Sequence, residues 1–306
     1  MIDVVVPSYR RPEPLAACLA GLRDQLTPAS RVLVVLRAGD STSELVVRRS
    51  GVTGASVVTV AGAGQVAALR AGVAASSAPL VAFTDDDAVP RPDWVHRIVA
   101  HFEDPAVGGV GGRDVVATDG APPDEDLVVG RVGKWGKVHG NHHRGAGPVR
   151  DVDILKGANM AFRRAALAVP RGLIGSGAEP HNDAAVSLHA RSLGWRVVYD
   201  PHVVVDHFPA ARVEGTMRDQ AKAADVWTSA YNLTLTLLST GAATWWRRLA
   251  YGIVVGDRGI PGIIRTAGAL ARRTDHREML FRLGPSMCGQ MAAARCYRRG
   301  DRLAFD

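Results

Sequence analysis

Cysteine is scarce: Cys18, Cys288 and Cys296 are the only three, odd in number and without metal-ligand spacing. That excludes a disulfide framework and a closed cysteine zinc site, and points to a reducing, cytoplasmic setting. No stretch of about 20 uninterrupted apolar residues is present, so a simple transmembrane span is not expected. The start, Ile2 to Val6, reads as a strand with no basic or apolar leader before it, so no signal peptide is expected. The turn after that strand is Pro7-Ser8-Tyr9-Arg10. It lacks the Gly-x-Gly-x-x-Gly that brings a backbone onto a pyrophosphate, which argues against a dinucleotide-dependent oxidoreductase.

Apolar residues make up 47% of the 306, enough for a sizeable core in one large α/β domain or a domain with an appendage. The net charge of +7 is concentrated at one end. Residues 243–306 hold twelve Arg against five Asp and Glu, so the first 242 residues balance to zero. A neutral body with a basic tail suggests a local electrostatic role, such as an anionic membrane surface or anionic ligand. The tail has no recognisable nucleic-acid motif and no interleaved stacking aromatics, so nucleic acid is not an expected partner.

Strand and helix patterns alternate. Strands are expected at Ile2–Val6, Arg31–Leu36, Ser56–Val60 and Pro79–Phe83, and helices at Pro12–Gln25, Ser43–Ser50, Gln65–Ser76 and Pro92–Phe102. This predicts an α/β fold, a doubly wound, mostly parallel sheet with flanking helices. Ligands of such sheets sit beyond the carboxyl ends of the strands. Further on, Val107–Val116 reads as Gly-rich extended chain and Asp119–Asp151 as a long polar functional loop carrying His139, His142 and His143. Ile154–Phe162 reads as a strand entering a helix, Asp183–Leu193 as a helix and Trp195–Val205 as strand, with a largely helical remainder from Val213.

The chemistry concentrates in Thr84-Asp85-Asp86-Asp87 at the end of the fourth strand. Three adjacent carboxylates repel one another and raise each other's pKa; a divalent cation removes the conflict. Hard oxygen donors suit Mg2+ or Mn2+. Alternation places Asp85 and Asp87 on one side. The competing reading is a solvated acidic turn ahead of the helix. The three histidines, with no cysteine beside them, are expected to be exposed loop residues rather than a zinc site.

Taken in order, five segments resemble family 2 glycosyltransferases of the GT-A fold: Val4 to Arg11, Gly62 to Gly72, Phe83 to Trp94, Leu155 to Arg164, and Asn182-Asp183 followed by Gly194 and Pro201. The resemblance spans roughly residues 2–210. It implies a catalytic, nucleotide-sugar-binding domain over 1–210 and a helical, Arg-rich extension over 211–306. It implies sugar transfer from a nucleotide-diphosphate sugar to an acceptor hydroxyl on a glycan, a lipid-linked molecule or a small molecule, with inversion. A non-catalytic nucleotide-sugar-binding paralogue is the alternative.

By the same resemblance Pro7, Tyr9, Arg11, Arg37, Asp40, Gly64, Arg70, Asp85 and Asp86 face the donor, with Tyr9 stacking on the base. Asp40 stands in for the acidic residue usual directly after the second strand. Asp85, Asp87 and His207 hold Mn2+ or Mg2+. Asp183 is the general base, with Glu179 as its substitute. Trp135, Gly157, Asn159, Glu179 and Asn182 lie on the acceptor side. Trp245, Trp246, Arg247 and Arg248 beside apolar segments suit an interfacial helix on an anionic membrane. The tail could equally pack on the catalytic domain or on a second copy in a homodimer.

Overall fold

The computed structural model describes all residues except 117–119, 121, 176, 211–221 and 258. The expected start of the helical remainder at Val213, the division at residue 211 and the first residue of the polar loop, Asp119, lie outside the described residues. In chain order the elements are β1 (Ile2–Ser8), α1 (Pro12–Arg23), β2 (Arg31–Arg37), α2 (Ser41–Arg49), β3 (Ala55–Val60), α3 (Gln65–Ala75), β4 (Leu80–Phe83), β5 (Ala88–Pro90), α4 (Trp94–His101) and β6 (Val107–Val116). There follow β7 (Arg131–Val132), β8 (Val138–His139), β9 (Arg150–Asp151), β10 (Met160–Arg163), β11 (Pro170–Arg171), α5 (Asn182–Ser192) and β12 (Arg196–His207). The C-terminal part is α6 (Ala223–Ser239), α7 (Trp245–Val254), α8 (Ile263–Arg272), α9 (His276–Arg298) and β13 (Ala304–Phe305).

The central sheet runs β3-β2-β1-β4-β10-β6-β12-β5, with β9 on β12. β3, β2, β1 and β4 are parallel, β10 is antiparallel to both its neighbours, and β6 and β12 are again parallel. β-Branched residues fill these strands because both faces are covered. Alternation along β1 sends Ile2, Val4 and Val6 into a core with Leu15, Leu19, Val47 and Trp94. Val5 points into the opposite core with Leu69, Phe162 and Val186. Gly72 lets α3 approach β1: a Cβ there would stand 2.3 Å from Val5 Cγ1.

Two segments differ from expectation. Ile154–Phe162 enters no α-helix; β10 begins at Met160 and leads into one 3-10 turn, Arg164–Ala166. The polar segment is partly built. β7 and β8 pair as a hairpin, and His142 is buried rather than exposed, its Nε2 2.8 Å from Ile154 O. The Tyr199 hydroxyl donates to the carbonyls of His142 and Gly145, which fastens this loop to β12.

The C-terminal helices dock on the outer side of α5. Ala184 and Leu188 pack with Val226, Leu233 and Leu237 of α6, and Ala185 with Leu235, Ala293 and Leu303. Arg248 of α7 is fully buried, donating to Gly136 O at 2.9 Å and pairing with Asp257 at 3.0 Å, which joins α7 to the β7–β8 hairpin. Among the described residues no helix is long and apolar enough to cross a membrane.

Candidate active site

A cleft opens at the carboxyl ends of β1, β2 and β4. Pro7, Ser8, Tyr9, Arg11, Arg37, Gly64, Asp85 and Asp87 line it, with Gln65, Gly177 and Ala178 on its far wall. Gly64 has φ +132°, a left-handed conformation that frees the chain to turn into α3. The α3 N-terminus offers no open anion cradle. Gln65 N donates to Gly177 O at 2.8 Å, and Val66 N to Glu179 Oε2 at 3.2 Å.

The acidic triplet splits by direction. β4 ends at Phe83, and the turn before β5 points Asp85 and Asp87 toward His207. One ligand atom from each of the three lies within 4.8 Å of the others. His207 closes β12, opposite Ala88 of β5. Asp87 is pinned by Arg11 Nη1 at 3.2 Å and by Ala210 N at 2.9 Å, while Phe208 N holds its carbonyl at 2.8 Å. Burial alone would raise the Asp87 pKa, but the His207 imidazole beside it, the hydrogen bond from Ala210 and the charge of Arg11 hold it at about 2. Asp85 moves the other way, raised by burial and by the Asp87 charge. Burial would lower His207, yet Asp114 and Asp87 beside it lift its pKa to about 9.

This set fits a divalent cation. Both ring nitrogens of His207 are buried without a well-formed hydrogen bond, although Asp87 Oδ1 stands 3.3 Å from Nε2 and Asp114 Oδ2 3.8 Å from Nδ1. Two carboxylates and an imidazole offer oxygen and nitrogen donors that Mn2+ accepts readily.

Asp86 faces away. Its carboxylate is fully buried, accepts from Ser8 Oγ at 2.6 Å and from Arg11 Nε at 3.1 Å, and is paired with the Arg11 guanidinium. Burial drives its pKa up to about 7 against those partners. It braces β1 to the acidic turn and does not line the cleft, contrary to the donor role expected of it.

Other expectations need the same correction. Asp40 is the N-cap of α2, accepting from Ser43 N at 3.2 Å and Arg10 N at 2.6 Å, so its carboxylate is spent on structure. Arg70 reaches Asp306 at 2.8 Å and is not part of the cleft lining. Asn159 is fully buried: it accepts from Trp94 Nε1 at 2.8 Å and donates to Arg113 O and Val203 O, leaving nothing for an acceptor. Glu179 caps α3 on the donor side, and the buried Asn182 bridges Gln65 and the Glu179 carbonyl. Tyr9 lines the cleft, but the guanidinium groups of Arg10 and Arg37 lie 5.2 and 4.9 Å from its ring centre, so its π-face is already engaged.

Asp183 sits in the first turn of α5, behind His181, whose φ of 69° is unusual for a side-chain-bearing residue. Gly157 N donates to Asp183 Oδ2 at 3.2 Å and Ala184 N to Oδ1 at 2.8 Å. Exposed Lys156, next to Gly157, lowers the Asp85 pKa and also acts on His181, so its charge is felt at both ends of the site. Trp135 at the hairpin tip is half exposed and meets Trp246 of α7 edge to face at 5.6 Å. Among the contributors left unassigned from sequence are Ser8, Asp114 and Lys156. Ser8 and Lys156 lie inside quoted motifs and could have been marked there; Asp114 sits in a Gly-rich strand with no local signal.

Comparison with known proteins agrees with this geometry. A mannosyltransferase from Pyrobaculum calidifontis, in complex with GDP-Man and Mn2+, superposes with TM-score 0.57 at 19% identity, over 98% of this chain and 87% of that one. Glucosyl-3-phosphoglycerate synthase from Mycobacterium tuberculosis, in complex with Mg2+ and UDP, gives 0.53 at 17% identity over 80% of each chain. S. aureus TarS 1–349 with UDP-GlcNAc gives 0.53 at 12% identity, over 100% of this chain and 96% of that one. A pre-mycofactocin glycosyltransferase of M. tuberculosis is 28% identical over 151 residues, 47% of this chain but only 30% of that protein's length. The model of the family described as glycosyltransferase like family 2 matches residues 2–225, so the chain belongs to that family.

Proposed function

We propose that the chain moves a sugar from a nucleoside-diphosphate donor to an acceptor hydroxyl in one inverting step that depends on Mn2+ or Mg2+. The observation that carries this reading is the convergence of Asp85, Asp87 and His207 on the edge of a cleft lined by Pro7, Tyr9, Arg11 and Arg37. The nucleotides held by three proteins of the same fold support a nucleoside-diphosphate donor. Residues 1–210 would carry the chemistry, with 211–306 as a helical extension.

Asp85, Asp87 and His207 would hold the cation, which supplies positive charge against the departing diphosphate. Arg11, fixed to the acidic turn, keeps Asp87 ionised and aimed. Asp183, oriented by the Gly157 and Ala184 amides, accepts the proton of the acceptor hydroxyl as that oxygen bonds to the anomeric carbon. The bond from that carbon to the diphosphate oxygen breaks on the opposite face, and the configuration inverts.

A panel of nucleotide sugars, with Mn2+, Mg2+ or chelator, tests this by nucleotide release. One donor should turn over only with metal, and the anomeric proton coupling of its product should show the inverted configuration. Turnover undiminished by chelator, or a retained product, sinks the reading.

A further inference from the structure

Helices α7 and α8 are inside out for a surface that meets water. The exposed stripe of α7 is Trp246, Ala250 and Val254, at i, i+4 and i+8, whereas its buried positions are Arg248 and Gly252. On α8 the exposed positions are Ile263, Ile264, Ala267, Leu270, Ala271 and, at its last residue, Arg272, and the buried ones are Thr266 and Ala269. A water-facing helix shows the reverse pattern. Ile263 is 51% exposed, Ile264 58% and Trp246 48%. Both helices pack on α9, whose first turns add Leu280 and Phe281, each about half exposed.

Charge identifies what covers this face. Arg272 and Arg273 close α8, Arg277 opens α9 and all three are exposed; Arg247 lies over the Trp246 ring at 5.2 Å. Between residues 263 and 282 there are five Arg and two acidic residues. An apolar stripe bordered by Arg and Trp is suited to a plane that is apolar below and anionic above. An apolar protein partner would match the stripe but would leave the Arg border without counter-charge.

We propose that the face formed by α7, α8 and the start of α9 docks the protein on an anionic phospholipid surface, with the apolar stripe in the lipid and the Arg border among the headgroups. This surface is separate from the donor cleft, and its test needs neither donor nor metal.

The experiment is flotation of the full chain with vesicles of phosphatidylcholine alone or with about 30% phosphatidylglycerol. The protein should float with the anionic vesicles and much less with the neutral ones. Ile263→Glu with Ile264→Glu should lower the bound fraction about tenfold, and Arg272→Glu with Arg273→Glu should remove the preference for anionic lipid. Circular dichroism matching the parent shows that these variants are folded, and Leu270→Gln serves as a milder probe if the double glutamate misfolds. The proposal fails if the parent floats with neither vesicle, if the folded glutamate variant floats like the parent, or if ultracentrifugation shows a dimer that this variant splits.

Discussion

Nε2 of His207 stands 3.3 Å from Oδ1 of Asp87, although the two residues come from different strand ends 120 positions apart. The antiparallel pairing of β12 with β5 makes the meeting possible, because His207 lies opposite Ala88, the neighbour of Asp87. Asp87 stays charged under burial because His207, the Ala210 amide and Arg11 together favour its carboxylate.

Asp87→Ala and His207→Ala should each lower metal-dependent nucleotide release by about 10²-fold or more. Titration calorimetry with Mn2+ should show the same loss without donor. Wild-type Mn2+ affinity in His207→Ala would detach that residue from the site.

Asp183→Asn should lower turnover by about 10²- to 10⁴-fold while donor affinity stays unchanged. The amide retains an oxygen for one backbone donor, so the α5 start should remain folded. Undiminished turnover would end the general-base assignment.

Arg11→Ala strands the buried Asp86 carboxylate with Ser8 as its remaining hydrogen-bond partner. Removing one member of a buried pair is costly; Arg11 is partly solvated, so a loss of about 2–3 kcal/mol is expected in urea unfolding. Asp86→Asn should cost less, because it removes the buried charge while its amide oxygen can still accept from Ser8 and Arg11. Equal midpoints for Arg11→Ala and the parent would rule out the brace.

Asn159→Ala should destabilise the fold by about 2–4 kcal/mol, since it orphans the Trp94 indole N–H and two carbonyls in the core. Turnover per folded molecule should hold. A selective rise in acceptor KM with unchanged stability would return Asn159 to the acceptor role expected from sequence.

Asp200 predicts a pH-dependent loss of stability. Burial would raise its pKa, but the hydrogen bonds from His101 at 2.8 Å and from His202 N hold it below the ordinary 3.8. The folded state therefore binds this proton less readily than the unfolded chain. Its contribution is complete above about pH 4 and disappears as pH falls through the depressed folded value. The stability gap between the parent and Asp200→Asn should be constant near neutral pH and narrow below about pH 4. A gap independent of pH would deny the linkage.

Strand–helix alternation through Phe83 was legible because both signals are local: runs of Val and Leu, and apolar residues at helical spacing. The cluster of Asp85, Asp87 and His207 was partly legible: Asp85 and Asp87 sit in one turn, and the family resemblance brought His207 to them. The fates of Arg70, Asp86 and Asn159 were not, because distant partners set them, and Asp40 turned out to be the N-cap of α2. Arg70 is tied to Asp306, and Asn159 joins three segments that no sequence window contains. Likewise, nothing local to Met160–Arg163 says that this strand inserts between β4 and β6.

That insertion bears on how the protein is made. By the time Phe83 has left the ribosome, four parallel strands can assemble, but the outer edge of β4 stays bare until Met160 emerges. Val107–Val116 appears in the interval with both edges unpaired: one waits for the same late strand, the other for β12. Nascent chains stalled between these points present several open edges at once, a state prone to sticking to other chains. Synthesis of the stretch from 84 to 207 is thus the window in which a chaperone would matter most to this molecule.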